Sequence, residues 1–183
     1  MLERFASAPF RWWVAGGWAA EAGGAAPRPH EDIDLAVLAR DLTGLRERLA
    51  DHHLWEAHQG ALRPLRPGAP PAPGLEQFWV RRNATSPWVM DVLLTPADGE
   101  AWLFKRDERI RLPLDSIGWV APDGVSYLRP EVMLLFKAKL RRPKDEADLR
   151  SLVPRLDERA RQWLREALAV AHPGHPWSTL VGG

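Results

Sequence analysis

The sequence predicts a mixed α/β domain that ends in a helical segment. Three observations carry that prediction. Apolar runs with the strand period alternate with runs of helical spacing near the N-terminus, further strand-like runs follow a proline-rich stretch, and helical spacing takes over from Pro130. A chain of 183 residues suits one domain with a sizeable core, or one catalytic unit with a small helical appendage, and is short for two independent domains. A boundary near residue 128 divides it into a catalytic part, 1–128, and a helical segment, 129–183, expected to pack directly on the sheet.

Taken in order, "RWWVA" (11–15) reads as a strand and "GGWAAEAGG" (16–24) as a short helix closed by Gly23 and Gly24. "DIDLAVL" (32–38) alternates in period two, with aspartates on one face and Ile33, Leu35 and Val37 on the other. "DLTGLRERLADHH" (41–53) spaces Leu42, Leu45 and Leu49 as a helix does, whereas "RPLRPGAPPAPG" (63–74) is too rich in Pro and Gly for either regular state and reads as an exposed loop. "LEQFWVRRN" (75–83) and "WVMDVLLT" (88–95) read as strands, "AWLFKRD" and "RIRLPL" as weaker ones, with a turn at "APDGVSYL". "RPEVMLLFKAKL" opens a helix on Pro130, where the missing N–H costs nothing, and "KDEADLRSLVPRL" and "DERARQWLREALAVAH" complete the helical third.

Composition narrows the function. Lys and Arg number 25 against 24 Asp and Glu, a net charge of +1, so no global field draws in nucleic acid or an anionic membrane. The absence of Cys excludes a disulfide framework, a thiolate metal site and a Cys nucleophile. No run approaches a membrane span and the N-terminus lacks a signal-peptide core, so a soluble cytoplasmic protein is expected. Of the ten Trp, about one or two are expected to line a ligand cleft.

The chemistry-bearing residues concentrate between 16 and 34. Asp32 and Asp34, two apart on a strand, converge on one side and repel each other unless a cation lies between them; Mg2+ is held by a few carboxylates with the remaining positions left to water and phosphate. The alternative is a solvated edge strand. Asp91 stands in an otherwise apolar strand, where an ionised carboxylate is costly unless paired or metal-bound, although alternation with Met90 and Val92 also allows an exposed position. Two acids on one strand and a third on its neighbour suit a two-metal site for phosphoryl-type transfer. Gly16 and Gly17, between strand and helix, let backbone N–H groups approach a phosphate, or else form a tight structural turn.

"VAGGWAAEAGG" followed by "RPHEDIDLAV" resembles the nucleotidyltransferases of the DNA polymerase beta superfamily, and most of all the small antibiotic-modifying aminoglycoside 2''-adenylyltransferases and lincosamide nucleotidyltransferases. The Gly16-Gly17-Trp18 turn and the run from Arg28 through His30 to Asp32 and Asp34 carry the likeness, and "YLRPEVMLLFKAKLRRPKDEADL" extends it. The resemblance implies a nucleotidyltransferase fold, a mixed twisted sheet flanked by helices. It also implies two Mg2+ ions, ATP or another nucleoside triphosphate as donor, and pyrophosphate as product. Asp32, Asp34 and Asp91 would hold the metals, Asp91 doubling as general base on the hydroxyl of a small acceptor such as an antibiotic. Many superfamily members carry Ser where Gly17 stands here, so only backbone N–H groups would serve phosphate at that position.

Arg28 and His30 precede the metal strand and could neutralise triphosphate charge; for Arg28 a plain surface position is an equal alternative, and His30 suits a structural or helper role better than that of a proton carrier. Lys137 and Lys139 cannot share a helix face, so one of them would reach the nucleotide; Lys144 opposes the dipole at the start of its helix and is a further ligand candidate, whereas Asp145 and Asp148 suit capping. Two other readings stay open: transfer to a protein or tRNA in a toxin–antitoxin setting, for which Arg63, Arg66, Arg81 and Arg82 are the basic residues available, and a silent nucleotide-binding relative. A polycationic acceptor calls for acids beyond the metal ligands, with Glu76, Asp98 and Glu100 as candidates. The oligomeric state is open.

Overall fold

The computed structural model describes residues 1–58 and 60–182; Gly183, the last residue of the expected helical segment, lies outside them. Among the described residues, eleven strands and six α-helices follow in the order β1 (Trp12–Val14), α1 (Gly16–Ala22), β2 (Ile33–Leu38), α2 (Leu42–Arg48), β3 (His53–His58), β4 (Ala61–Pro64), β5 (Gln77–Arg81), β6 (Trp88–Thr95), β7 (Ala97–Asp98), β8 (Ala101–Phe104), β9 (Asp107–Pro113), β10 (Gly118–Val120), β11 (Ser126–Leu128), α3 (Pro130–Lys137), α4 (Pro143–Leu152), α5 (Glu158–Ala171) and α6 (Trp177–Gly182). The mixed α/β class read from the sequence is the class observed.

Eight strands form one mixed sheet in the order β10-β11-β1-β2-β6-β5-β3-β4, and β7, β8 and β9 form a small antiparallel sheet. Two pairings in the large sheet are parallel, β1 with β11 and β2 with β6; the rest are antiparallel. The indole N–H of buried Trp102 on β8 donates to Thr95 Oγ1 at the end of β6 (2.6 Å), which joins the two sheets.

Both faces of the large sheet are buried, and period two sorts its residues between them. Leu35 and Val37 of β2 pack with Met90, Val92 and Leu94 of β6, Phe78 and Val80 of β5, and Leu45 and Leu49 under α2. Ala36 and Leu38 face the other way, into a core shared with Ala19 and Ala20 of α1, Val132 and Leu135 of α3, Leu149 of α4, Leu164 and Leu168 of α5 and Trp177 of α6. Asp34 lies in register with this second face, so the acids open toward the helices.

The differences from the sequence reading are local. β3 and β4 extend the sheet where no strand is expected, because the fully inward positions of "HLWEAH" include a charged residue: Glu56 is buried and its carboxylate accepts the Ala72 N–H (2.8 Å), pinning the proline-rich loop. The turn at 121–128 proves to be a hairpin between β10 and β11, strands of three residues that are too short to show a period. Among the described residues no helix is long and apolar enough to cross a membrane.

Helices α3 and α4 are clasped by ions. Lys137 Nζ lies 2.9 Å from Asp148 and 3.3 Å from Asp145, and all three side chains are buried. Removing one partner of such a group strands the others without solvation. Lys137→Met is therefore expected to lower stability by about 3–5 kcal/mol, read as a fall in the urea midpoint at unchanged slope.

Candidate active site

The β2–β6 ladder pairs Asp34 directly with Asp91. Side chains that are neighbours in a parallel ladder point to the same face, so the two carboxylates stand side by side, and Asp32 sits two residues earlier at the mouth of β2. The exposed-face alternative for Asp91 is not what the fold shows. Gln77 on β5 completes the row, its amide Nε2 donating to Asp91 Oδ2 (2.6 Å). The other oxygen, Asp91 Oδ1, is buried without a hydrogen-bond partner among the described residues.

Burial pushes the Asp91 carboxyl up to about 7, further than the Gln77 hydrogen bond can bring it down, and the charges of Asp34 and Asp32 add to the rise. Burial, and then Asp32, also raise Asp34, against the cations Lys137, Lys144 and Arg142.

Gly16 and Gly17 are required by the chain's own side chains. Gly16 has φ +60°, and a Cβ there would overlap the Asp34 carboxylate; at Gly17 it would overlap the His30 ring. Ala15 N–H donates to the Asp34 carbonyl (2.8 Å), which sets the turn against β2. Both glycines line the cleft beside the carboxylates. Helix α1 covers only seven residues, so close backbone approach, more than a helix dipole, is what the turn offers a ligand.

Arg28 and His30 belong to one polar chain. Glu21 Oε1 accepts from the Arg28 backbone N–H (2.7 Å) and contacts His30 Nε2 (2.6 Å); His30 Nδ1 lies 3.0 Å from an Arg28 guanidinium nitrogen, and the same guanidinium reaches Asp148 (3.3 Å). The Trp18 ring stacks on His30 at 4.5 Å while its N–H donates to the Asp32 carbonyl (3.1 Å). Asp148 and Asp145 also hold Lys137, and Asp145 takes the Arg142 guanidinium (2.9 Å) and backbone N–H (3.0 Å). Asp145 thus caps α4, as its position suggests, while Asp148 serves the buried ion cluster. Lys139 falls beyond α3, and Lys144 lines the cleft with no ion pair among the described residues.

These groups surround a cleft of about 630 Å³ that brings together Asp32, Asp34, Asp91, Gly16, Gly17, Arg28, His30, Lys137 and Lys144. Gln77, Lys105, Arg106 and Arg142 also line it and escape the sequence reading; the one signal for Gln77 is its position in strand period within "LEQFWV". No Trp is among its lining residues, contrary to the expected one or two.

The carboxylates fit a hard divalent cation. Among the described residues no three acidic or imidazole groups close into a ready cage, yet Mg2+ is usually held by one or two carboxylates together with water and substrate phosphates. The partnerless Asp91 Oδ1 beside Asp34, and a glycine where a side chain would block Asp34, meet that need.

The family model of the aminoglycoside-2''-adenylyltransferases matches residues 1–66. Comparison with curated protein sequences finds no match. Among solved structures, the solution structure of the antibiotic-resistance factor ANT(2'')-Ia is similar at TM-score 0.62 and 16% identity, over 92% of this chain and 87% of that one. ANT(2")-Ia in complex with adenylyl-2"-tobramycin gives 0.61 and 14%, over 92% and 93%. The lincomycin-bound lincosamide antibiotic adenylyltransferase LnuA gives 0.55 and 18%, over 82% and 90%. The resemblance seen in the sequence is thus met by the family match over the first third and by a shared fold over most of the chain.

The raised Asp91 value has a measurable consequence. In metal-free protein the folded state keeps this proton up to about pH 7 whereas the unfolded chain releases it in the ordinary carboxylate range, so the contribution is present at low pH and is lost as pH rises through about 7. Urea unfolding in chelator is expected to show stability falling between about pH 4 and pH 7, with a flatter profile for Asp91→Asn over that window.

Proposed function

We propose that this protein is a nucleotidyltransferase of the antibiotic-modifying type, moving a nucleoside monophosphate, AMP from ATP in the first instance, to a hydroxyl of a small molecule with release of pyrophosphate. The observation that carries the reading is the register of Asp34 against Asp91 on adjacent parallel strands, with one Asp91 oxygen buried and partnerless.

Asp32, Asp34 and Asp91 would hold Mg2+. When bound, the metal offsets phosphate charge and steadies the attacking and leaving oxygens of an in-line displacement at phosphorus. The chain's own residues supply the rest. The Gly16-Gly17 turn leaves the Asp34 carboxylate the space that a side chain would take, so that it can face the cleft. Lys144 and Arg142 flank the cleft on the Asp34 side, where a triphosphate needs cations, and Arg28 is held toward it by Glu21 and Asp148. His30, clamped between Glu21, Arg28 and Trp18, positions that loop and is not free to carry a proton to a substrate. Asp91, one of whose oxygens is held by Gln77, is the base for the acceptor hydroxyl.

Incubation with ATP, Mg2+ and a panel of hydroxylated small molecules, read by pyrophosphate release, tests the reaction. Asp34→Asn is expected to abolish turnover while leaving the fold intact, because relieving the repulsion with Asp32 and Asp91 does not destabilise the apo protein. Asp91→Asn is expected to lower kcat by about 100-fold or more with little change in nucleotide affinity, as befits a group that acts in the transition state. Wild-type turnover in either variant would remove that residue from the mechanism.

A further inference from the structure

We infer that the indole rings of Trp79 and Trp55 form the platform on which the acceptor lies, and that they select a molecule with a pyranose or cyclitol ring, one face of C–H groups with hydroxyls around its rim. The inference rests on the transfer reading above, which places the reacting hydroxyl at Asp91.

The ladder that pairs Asp34 with Asp91 continues across the sheet. Asp91 of β6 pairs with Trp79 of β5, and Trp79 with Trp55 of β3. Residues opposite one another in a ladder share a face, so Asp34, Asp91, Trp79 and Trp55 form one row on one side of the sheet. Strand spacing sets the Trp79 and Trp55 backbones about 5 Å and about 10 Å from that of Asp91. At the opposite end of the row, Gly16 abuts the Asp34 carboxylate, and Arg28 and His30 abut Gly17. The turn and the arginine that suit a triphosphate thus stand beyond Asp34, and the aromatic rings stand beyond Asp91.

The helices leave this half of the face open. Among the described residues, the core on the Asp34 side draws on β1, β2, β11, the small sheet and five helices, and takes nothing from β3, β4 or β5. Trp55, Trp79 and Trp88 are half-buried, and they hold one another: the Trp88 ring meets those of Trp79 and Trp55 nearly at right angles, at 5.4 and 6.2 Å. The Arg81 guanidinium lies between Trp55 and Trp88, 4.7 and 4.8 Å from their centroids. Rings fixed in this way lose little freedom when a ligand settles on them. The Trp79 N–H is buried, so what that ring leaves open is carbon. None of these rings lines the cleft itself, so they are met by an acceptor long enough to run from Asp91 along the sheet. An indole face is apolar and carries the negative side of the ring quadrupole, which favours the C–H face of a saturated ring and any ammonium it bears. A chain without rings gains little from a flat surface.

The test uses the full chain saturated with Mg2+ and the unreactive analogue α,β-methylene-ATP, whose binding is measured first by calorimetry. Tobramycin and lincomycin are then titrated as ring-bearing probes and spermine as a linear polyamine, with the tryptophan indole N–H groups followed by NMR. The Trp79 resonance, assigned through its loss in Trp79→Phe, is expected to shift with at least one antibiotic and to stay in place with spermine. Trp79→Ala is expected to weaken binding of that antibiotic about tenfold at unchanged affinity for the analogue, while Trp79→Phe, which keeps a ring, retains most of it. Trp55→Ala repeats the measurement at the far end of the row, where the neighbour of Asp91 is left intact. The platform alone is overturned if neither antibiotic binds, if one binds without moving the Trp79 resonance or with full affinity for Trp79→Ala and Trp55→Ala, or if spermine acts alike. It is equally overturned if the analogue by itself moves Trp79, which would give the rings to the nucleotide base, or if Trp55→Ala disperses a dimer, which would give them to a second copy of the chain. Failure of the analogue to bind would overturn the transfer reading and this inference with it.

Discussion

The parallel pairing of β2 with β6 is the constraint on which the rest of the structure depends. Side by side in that ladder, Asp34 and Asp91 repel, and like charges placed directly opposite are unfavourable in a sheet. What keeps the register is the reverse face. Leu35, Val37, Met90 and Val92 are buried there, and a slip of one residue would carry Asp91 into that apolar layer. The core thus enforces a pair of acids that the acids alone would not form. The repulsion is eased locally by the rise of the Asp91 carboxyl toward neutral pH and by the amide of Gln77.

The wall across from the carboxylates is organised by a second set of charges. Glu21, His30, Arg28, Asp148, Lys137, Asp145 and Arg142 form a continuous polar chain from α1 through the loop before β2 to α3 and α4. Each buried ion in isolation would be expensive, but a chain in which every member has partners holds one geometry. It crosses residue 128, so the loop that carries Arg28 and His30 takes its position from the helical third as much as from α1.

The sequence discloses the fold and site unevenly, for physical reasons. β6 spans the eight residues read as a strand, 88–95, because a short β-branched and aliphatic run there is interrupted only by Asp91. The Asp32–Asp34 spacing is legible because two residues on one strand need no tertiary knowledge. That Asp91 stands beside Asp34 is not legible in the same way, since register is a property of two strands brought together across α2, β3, β4 and β5. β3 is hidden by buried Glu56, whose partner is a backbone N–H sixteen positions away. Lys105 and Arg106 carry no signal at all: a Lys-Arg pair after a short strand is ordinary, and the ring faces of Phe104 and Phe136 that seat Arg106 come from two separate elements. The glycines teach a related lesson, for Gly16 and Gly17 suggest room for a ligand, whereas their nearest demands come from Asp34 and His30 of the same chain.

An open sheet of eight strands has two free margins, and each unpaired margin is a template on which another chain can assemble into an aggregate. At one margin β4 is four residues long, exposed throughout, carries Arg63 and ends on Pro64, which has no N–H to offer. At the other, β10 is three residues long, bounded by a short 3-10 turn before it and the hairpin after it, so little ladder is available even though Val120 is exposed. Pro64 at one margin and the shortness of both edge strands thereby limit strand recruitment by a sheet that no barrel closes.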